Sequence, residues 1–163
     1  MVAKEGDVTA FVRVLQDIGL FVARVAFGVV MVLHGWARWN GSGGMAAQVA
    51  HLEASGIAQP QLVAWGTVLL EVIGGVLLVF GAFTPGVALF FLVQQVLVIA
   101  LIKWHQGIYL ESGGFEYNLV TAAAAALFLV FGSGRAGVDT LFRRPAAEKT
   151  PRTGRAVDDR APA

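Results

Sequence analysis

Four stretches of this sequence are long and apolar enough to cross a lipid bilayer: residues 18–36, 62–83, 86–102 and 115–131. A helix rises 1.5 Å per residue, so about 20 apolar residues span a hydrocarbon core roughly 30 Å thick. Each stretch holds about 17–22. Barrel strands would be shorter and would alternate apolar with polar side chains, which these stretches do not. The first is too long for the apolar region of a cleaved signal, holds Arg24, and lacks a small-residue cleavage site after it. The rest of the composition agrees. Charged residues are only 14% of the chain, against about 25% in ordinary soluble domains. A water-soluble globule and a disordered chain are both excluded. There is no Cys, so the chain itself supplies no disulfide, thiolate metal site or thiol nucleophile.

The expected fold is all-α, a four-helix transmembrane bundle. Pro85 and Gly86 break the helix between the second and third spans, and so short a link makes an antiparallel hairpin. In the first loop, residues 44–55 fit a short amphipathic helix with Met45, Val49 and Leu52 on one side. The membrane domain is read as residues 14–142, after an N-terminal tail of residues 1–13. The C-terminal stretch 143–163 is rich in Pro, Arg, Ala and Asp and is expected to be disordered. With both ends cytoplasmic, the inner side carries Lys4, Arg13, Arg135, Arg143, Arg144, Lys149, Arg152, Arg155 and Arg160, while the outer loops carry Arg38 and Lys103. That asymmetry sets the expected orientation, both termini inside. Basic residues crowded into one tail point to anionic lipid before nucleic acid.

Charged groups inside a span cost about 2.5–3.5 kcal/mol on insertion scales and call for a partner or a task. Glu71 lies mid-span with Thr67, Gly74, Gly75 and Leu78 on its side, so that side should face the bundle. It reads as a proton carrier or polar-ligand acceptor, or else as a structural, Arg-paired carboxylate. Arg24 lies two turns above Asp17, and a structural Asp17–Arg24 pair is expected, with Glu71 as the other available partner. Gly28 and Gly35 lie beside that stripe and would admit another helix closely. Heights from helical rise place His34, Glu71, Glu116, Tyr117 and Asn118 in one layer of the outer half. A polar cavity lined by these five residues is the expected ligand site. Trp36, Trp39, Trp65 and Trp104 would ring its rim as interface anchors, with Arg38 and His105 reaching it from the loops. No HxxxH or Glu-x-x-His pair supports a metal, and none is expected. Gln94 and Gln95 read as helix–helix glue or as one lining residue. No phosphate loop, nucleophile elbow or dinucleotide fingerprint occurs.

Four pieces of the chain, in order, resemble the DoxX family of small bacterial membrane proteins. They are Arg24, Gly28 and His34-Gly35; Glu71, Gly74-Gly75, Leu78 and Gly81; Gly114-Phe115-Glu116-Tyr117-Asn118-Leu119; and Gly132-Ser133-Gly134 leading to Asp139. The likeness covers about residues 18–141. It implies a four-span protein of the bacterial cytoplasmic membrane. It also implies a link to quinone-coupled or thiol-stress redox assemblies, since the family is named for subunits of a thiosulfate:quinone oxidoreductase. The expected function is therefore a membrane subunit or anchor of an oxidoreductase, with the lipid bilayer and another redox subunit as partners and no nucleic acid. No covalent cofactor is expected; a quinone would suit the polar layer. Two other readings stand beside it: a scaffold whose polar layer locks the bundle, and a homo-oligomeric transporter of a small solute.

Overall fold

The computed structural model describes residues 3–139, with side chains from Val8 onward. The expected disordered tail over 143–163 lies outside the described residues. Among the described residues the chain is helical, without β-strands. α1 runs Ala3–Asn40, α2 Gly44–Ala54, α3 Pro60–Phe80, α4 Thr84–Gln106 and α5 Glu116–Phe131. α1, α3 and α4 are long and apolar enough to cross a membrane, and α5 is a shorter apolar helix. At 16 residues, α5 measures about 24 Å.

The helix ends follow their local sequence. Pro60 opens α3 at a position where a missing N–H costs nothing. Gly81 takes a left-handed φ of 69° to end α3. Its N–H donates to the Leu78 carbonyl and that of Ala82 to Leu77, the paired bonds of a Schellman stop. Pro85 sits in the first turn of α4, so α3 and α4 form the expected tight hairpin. α2 matches the short helix expected from the first loop, and its Leu52 is buried.

Neither α3 nor α4 is a regular α-helix throughout. α3 widens to a π-helical turn over Leu70–Gly74, and α4 does so over Ile99–Lys103. Such turns carry an extra residue and recur at functional positions. Glu71 lies inside the first and Lys103 inside the second.

α1 and α3 cross in antiparallel sense where neither has a side chain. A Cβ on Gly28 would lie 2.6 Å from the Gly75 carbonyl oxygen, and one on Gly75 would lie 2.7 Å from that of Gly28. Further along, a Cβ on Gly35 would meet Val72 and the Glu71 Cβ at 2.8 and 2.9 Å. This is the close approach expected of Gly28 and Gly35. Below it, Phe27 of α1 packs edge-on against Phe91 of α4 and Phe128 of α5, both with centroids 5.4 Å away. Met31, Leu78, Val87, Ala88 and Ala125 complete this core. The outward faces carry Val29, Leu33, Ile73, Leu89, Phe90, Val93 and Val130, all exposed, as a lipid-facing surface requires.

Trp36, Trp39 and Trp65 gather at one end of the bundle, with Trp39 edge-on to both others. At the opposite end, the chain after α5 doubles back across the bundle. Val138 donates to the Phe80 carbonyl and Asp139 to that of Gly81.

Candidate functional site

Glu71 is the anchor of the polar layer near the tryptophan end. It is only 2% exposed, enclosed because Gly35 lets α1 close over it. Its Oε2 accepts from Arg38 Nε at 2.9 Å, and its Oε1 from Gln94 Nε2 at 3.4 Å. Arg38 Nη1 also donates to Gln48 Oε1 of α2 at 3.3 Å. α1, α2, α3 and α4 thus meet around one carboxylate.

On the α5 side, the His34 ring stacks on Tyr117, with centroids 4.9 Å apart and planes 20° from parallel. Next to Tyr117, Asn118 Nδ2 donates to Gln95 Oε1 at 2.6 Å. Thr121 Oγ1 lies within hydrogen-bond distance of the Tyr117 and Asn118 carbonyls and holds this stretch of α5 in place. Three buried polar atoms of the layer have no hydrogen-bond partner among the described residues: Gln94 Oε1, the Tyr117 hydroxyl and Asn118 Oδ1. The orientation of Gln94 is set by charge. Its NH₂ must face the carboxylate, which leaves its carbonyl oxygen over.

Of the five expected ligand residues, the structure gathers His34, Glu71, Tyr117 and Asn118 at this height. Glu116 faces elsewhere. It is exposed, and its Oε2 accepts from the Leu110 N–H at 3.3 Å, bracing the loop before α5. The first residue of a helix projects over the preceding turn, so its height alone did not place its side chain. Arg38, expected at the rim, is instead the ion-pair partner of Glu71. Gly35 three residues earlier, marking a close helix crossing, was the available signal. Gln48 carried no signal, since nothing in the chain shows how α2 lies on the bundle.

The expected Asp17–Arg24 pair is not what forms. Asp17 Oδ2 lies 3.7 Å from Arg135 Nε. Arg24 is fully buried and donates to the carbonyls of Ser133 and Ala136 in the segment after α5. Its guanidinium also lies 5.6 Å from the centre of the Phe21 ring. Two helical turns separate Asp17 from Arg24, and the carbonyls left free beyond α5 lie closer. Asp139 completes this second cluster. Its carboxylate accepts from the Phe83 and Thr84 N–H groups at 2.6 and 2.9 Å, capping α4 from a distant part of the chain. Among the described residues, no three His, Cys, Asp or Glu side chains gather to hold a metal.

A sequence model of the DoxX family matches residues 19–104, more than half of the chain. The chain belongs to the DoxX family. Arg38 and Glu71 both lie inside the matched region. The chain is also 27% identical over 130 residues to the inner membrane protein YqjF of Escherichia coli strain K12, covering 80% of this chain and 96% of that protein. No solved structure matches. With its apolar helices, this DoxX protein is a multi-pass protein of the bacterial inner membrane.

Proposed function

We propose that the protein is a membrane subunit of a redox assembly and takes a quinone-type head group at the Glu71 layer. The supporting observation is the set of three unpartnered polar atoms, Gln94 Oε1, Tyr117 OH and Asn118 Oδ1, beside the Arg38–Glu71 pair. A buried polar atom left without a partner costs about 1–3 kcal/mol. A layer that only locked the bundle would gain from closing these bonds within itself. Two of the three are amide oxygens and can only accept, so they favour a head group carrying hydroxyls. The chemistry of the residues therefore fits a quinone in its reduced form. Tyr117 and the amides would orient the ring, and the His34–Tyr117 stack would flank it. When bound, a quinone would supply two-electron redox chemistry to a partner subunit; Glu71 and His34 are the groups of the layer that would hold or accept its protons. The distribution of Lys and Arg supports an orientation with both termini cytoplasmic, in which this layer would lie in the outer half of the membrane.

The test is direct. Protein purified in mild detergent should carry a quinone into an organic extract, identified by mass spectrometry, and Glu71→Gln should lose it. If the wild type yields no quinone and no redox partner, and E71Q leaves cellular tolerance of redox stress unchanged, the proposal fails.

A further inference from the structure

A second site lies at the other end of the bundle. An open pocket of about 440 Å³ sits between α1 and the segment after α5, lined by Asp17, Ile18, Phe21, Arg135 and Ala136. Its lining is mostly apolar, with one cation and one carboxylate at its mouth. The wall is built, not incidental. Arg24 grips the carbonyls of Ser133 and Ala136 from behind and lies against Phe21. Gly134, at a left-handed φ of 65°, brings the segment so close that a Cβ there would lie 3.0 Å from Leu20.

The mouth charges are poorly used by the protein. Arg135 is 79% exposed, Asp17 29%, and they meet at 3.7 Å. A pair this long and open is worth little, so a ligand can exchange it at small cost. Both residues also flank apolar stretches of the sequence. Asp17 immediately precedes the first apolar stretch, and Arg135 follows the end of α5 at Phe131. Ile18 and Phe21, at 55% and 42% exposure, point apolar surface toward acyl chains.

We infer that this pocket binds the head group of a zwitterionic phospholipid with a primary ammonium, its phosphate on Arg135 and its ammonium on Asp17. Ile18 and Phe21 receive the first carbons of an acyl chain. A plain anionic head group is the poorer match, because Asp17 would face its charge. A trimethylammonium head group is also poorer, because it has no N–H to donate to the carboxylate. The pre-set wall removes part of the ordering cost of binding.

The test is lipid titration of the delipidated full-length protein by native mass spectrometry, using phosphatidylethanolamine, phosphatidylcholine and phosphatidylglycerol. The ethanolamine lipid should bind about tenfold more tightly than either other. Arg135→Gln should weaken binding of the ethanolamine lipid, and Arg135→Lys should retain most of it, separating loss of charge from loss of fold. Asp17→Asn should bring the ethanolamine and choline lipids level. Equal binding of all three lipids to the wild type, preference for phosphatidylglycerol, or unchanged binding in R135Q would overturn the inference.

Discussion

Arg38 and Glu71 lean toward each other because their helices run in opposite directions. In any α-helix the Cα–Cβ bonds tilt toward its N-terminus. Arg38 lies near the end of α1 and tilts back along it. Glu71 lies within antiparallel α3 and tilts the opposite way. They meet at 2.9 Å, one turn past the point where Gly35 lets the backbones close. Glu71 is buried at 2% and Arg38 remains 35% exposed, so the carboxylate depends on the guanidinium more than the reverse.

Arg38→Met should therefore destabilise strongly, by about 3–5 kcal/mol, because it strands a buried carboxylate. The double variant R38M/E71M removes both charges and should recover most of that loss. Thermal unfolding in one detergent, with all variants side by side, checks the order.

Tyr117→Phe separates a ligand site from a structural lock. The hydroxyl has no partner among the described residues, so its removal should leave the melting temperature unchanged or raise it slightly. Binding of a quinol analogue should weaken. A melting temperature lowered by several degrees would mean that the hydroxyl supports the fold.

The helix crossing gives a steric prediction. Gly28→Ala places a methyl 2.6 Å from the Gly75 carbonyl oxygen, and that backbone cannot move without parting α1 from α3. Gly66→Ala, on α3 with nothing within 4 Å of its Cβ, should be neutral or stabilising by up to about 1 kcal/mol. Expression level and melting temperature should fall for the first variant and hold for the second.

Asp139→Ala should fray the start of α4, costing about 0.5–2 kcal/mol as for other lost caps. Asp139→Asn keeps one acceptor oxygen and should cost less. Amide hydrogen exchange at Phe83 and Thr84, whose N–H groups the carboxylate accepts, reports the effect locally.

Orientation is open to a clean chemical test because the chain has no Cys. Ser42→Cys, in the bend between α1 and α2, should react with a membrane-impermeant maleimide applied to intact spheroplasts. A Cys at residue 2 should react only after lysis.

Much of this architecture is legible in the chain. The apolar stretches and the Pro85-Gly86 break act through local rules and appear as helices and a tight hairpin where those rules put them, the last stretch as the shorter helix α5. Gly28 and Gly35 also announce a close neighbour, though not which helix it is. The polar partners were harder to read. Helical rise gives a residue's height but not its bearing, so it cannot tell that Glu116 faces away from the layer or that Arg24 finds carbonyls beyond α5 before a carboxylate. The π turn at Leu70–Gly74 leaves no mark on a pattern of nearly uniform apolar residues, and a regular helix drawn through it would misplace Glu71.

That turn has a consequence for how α3 can vary. One surplus residue is absorbed between Leu70 and Gly74, so the two halves of α3 keep the relative bearing of a regular helix one residue shorter. Deleting Val72 or Ile73 would remove that surplus and no buried charge. The turn would relax to a regular α-helix, with Trp65 and Gly75 still on their present sides. The same deletion elsewhere in α3 would rotate one half against the other by about 100°, so this turn is the place where the helix can lose a residue and keep its polar layer.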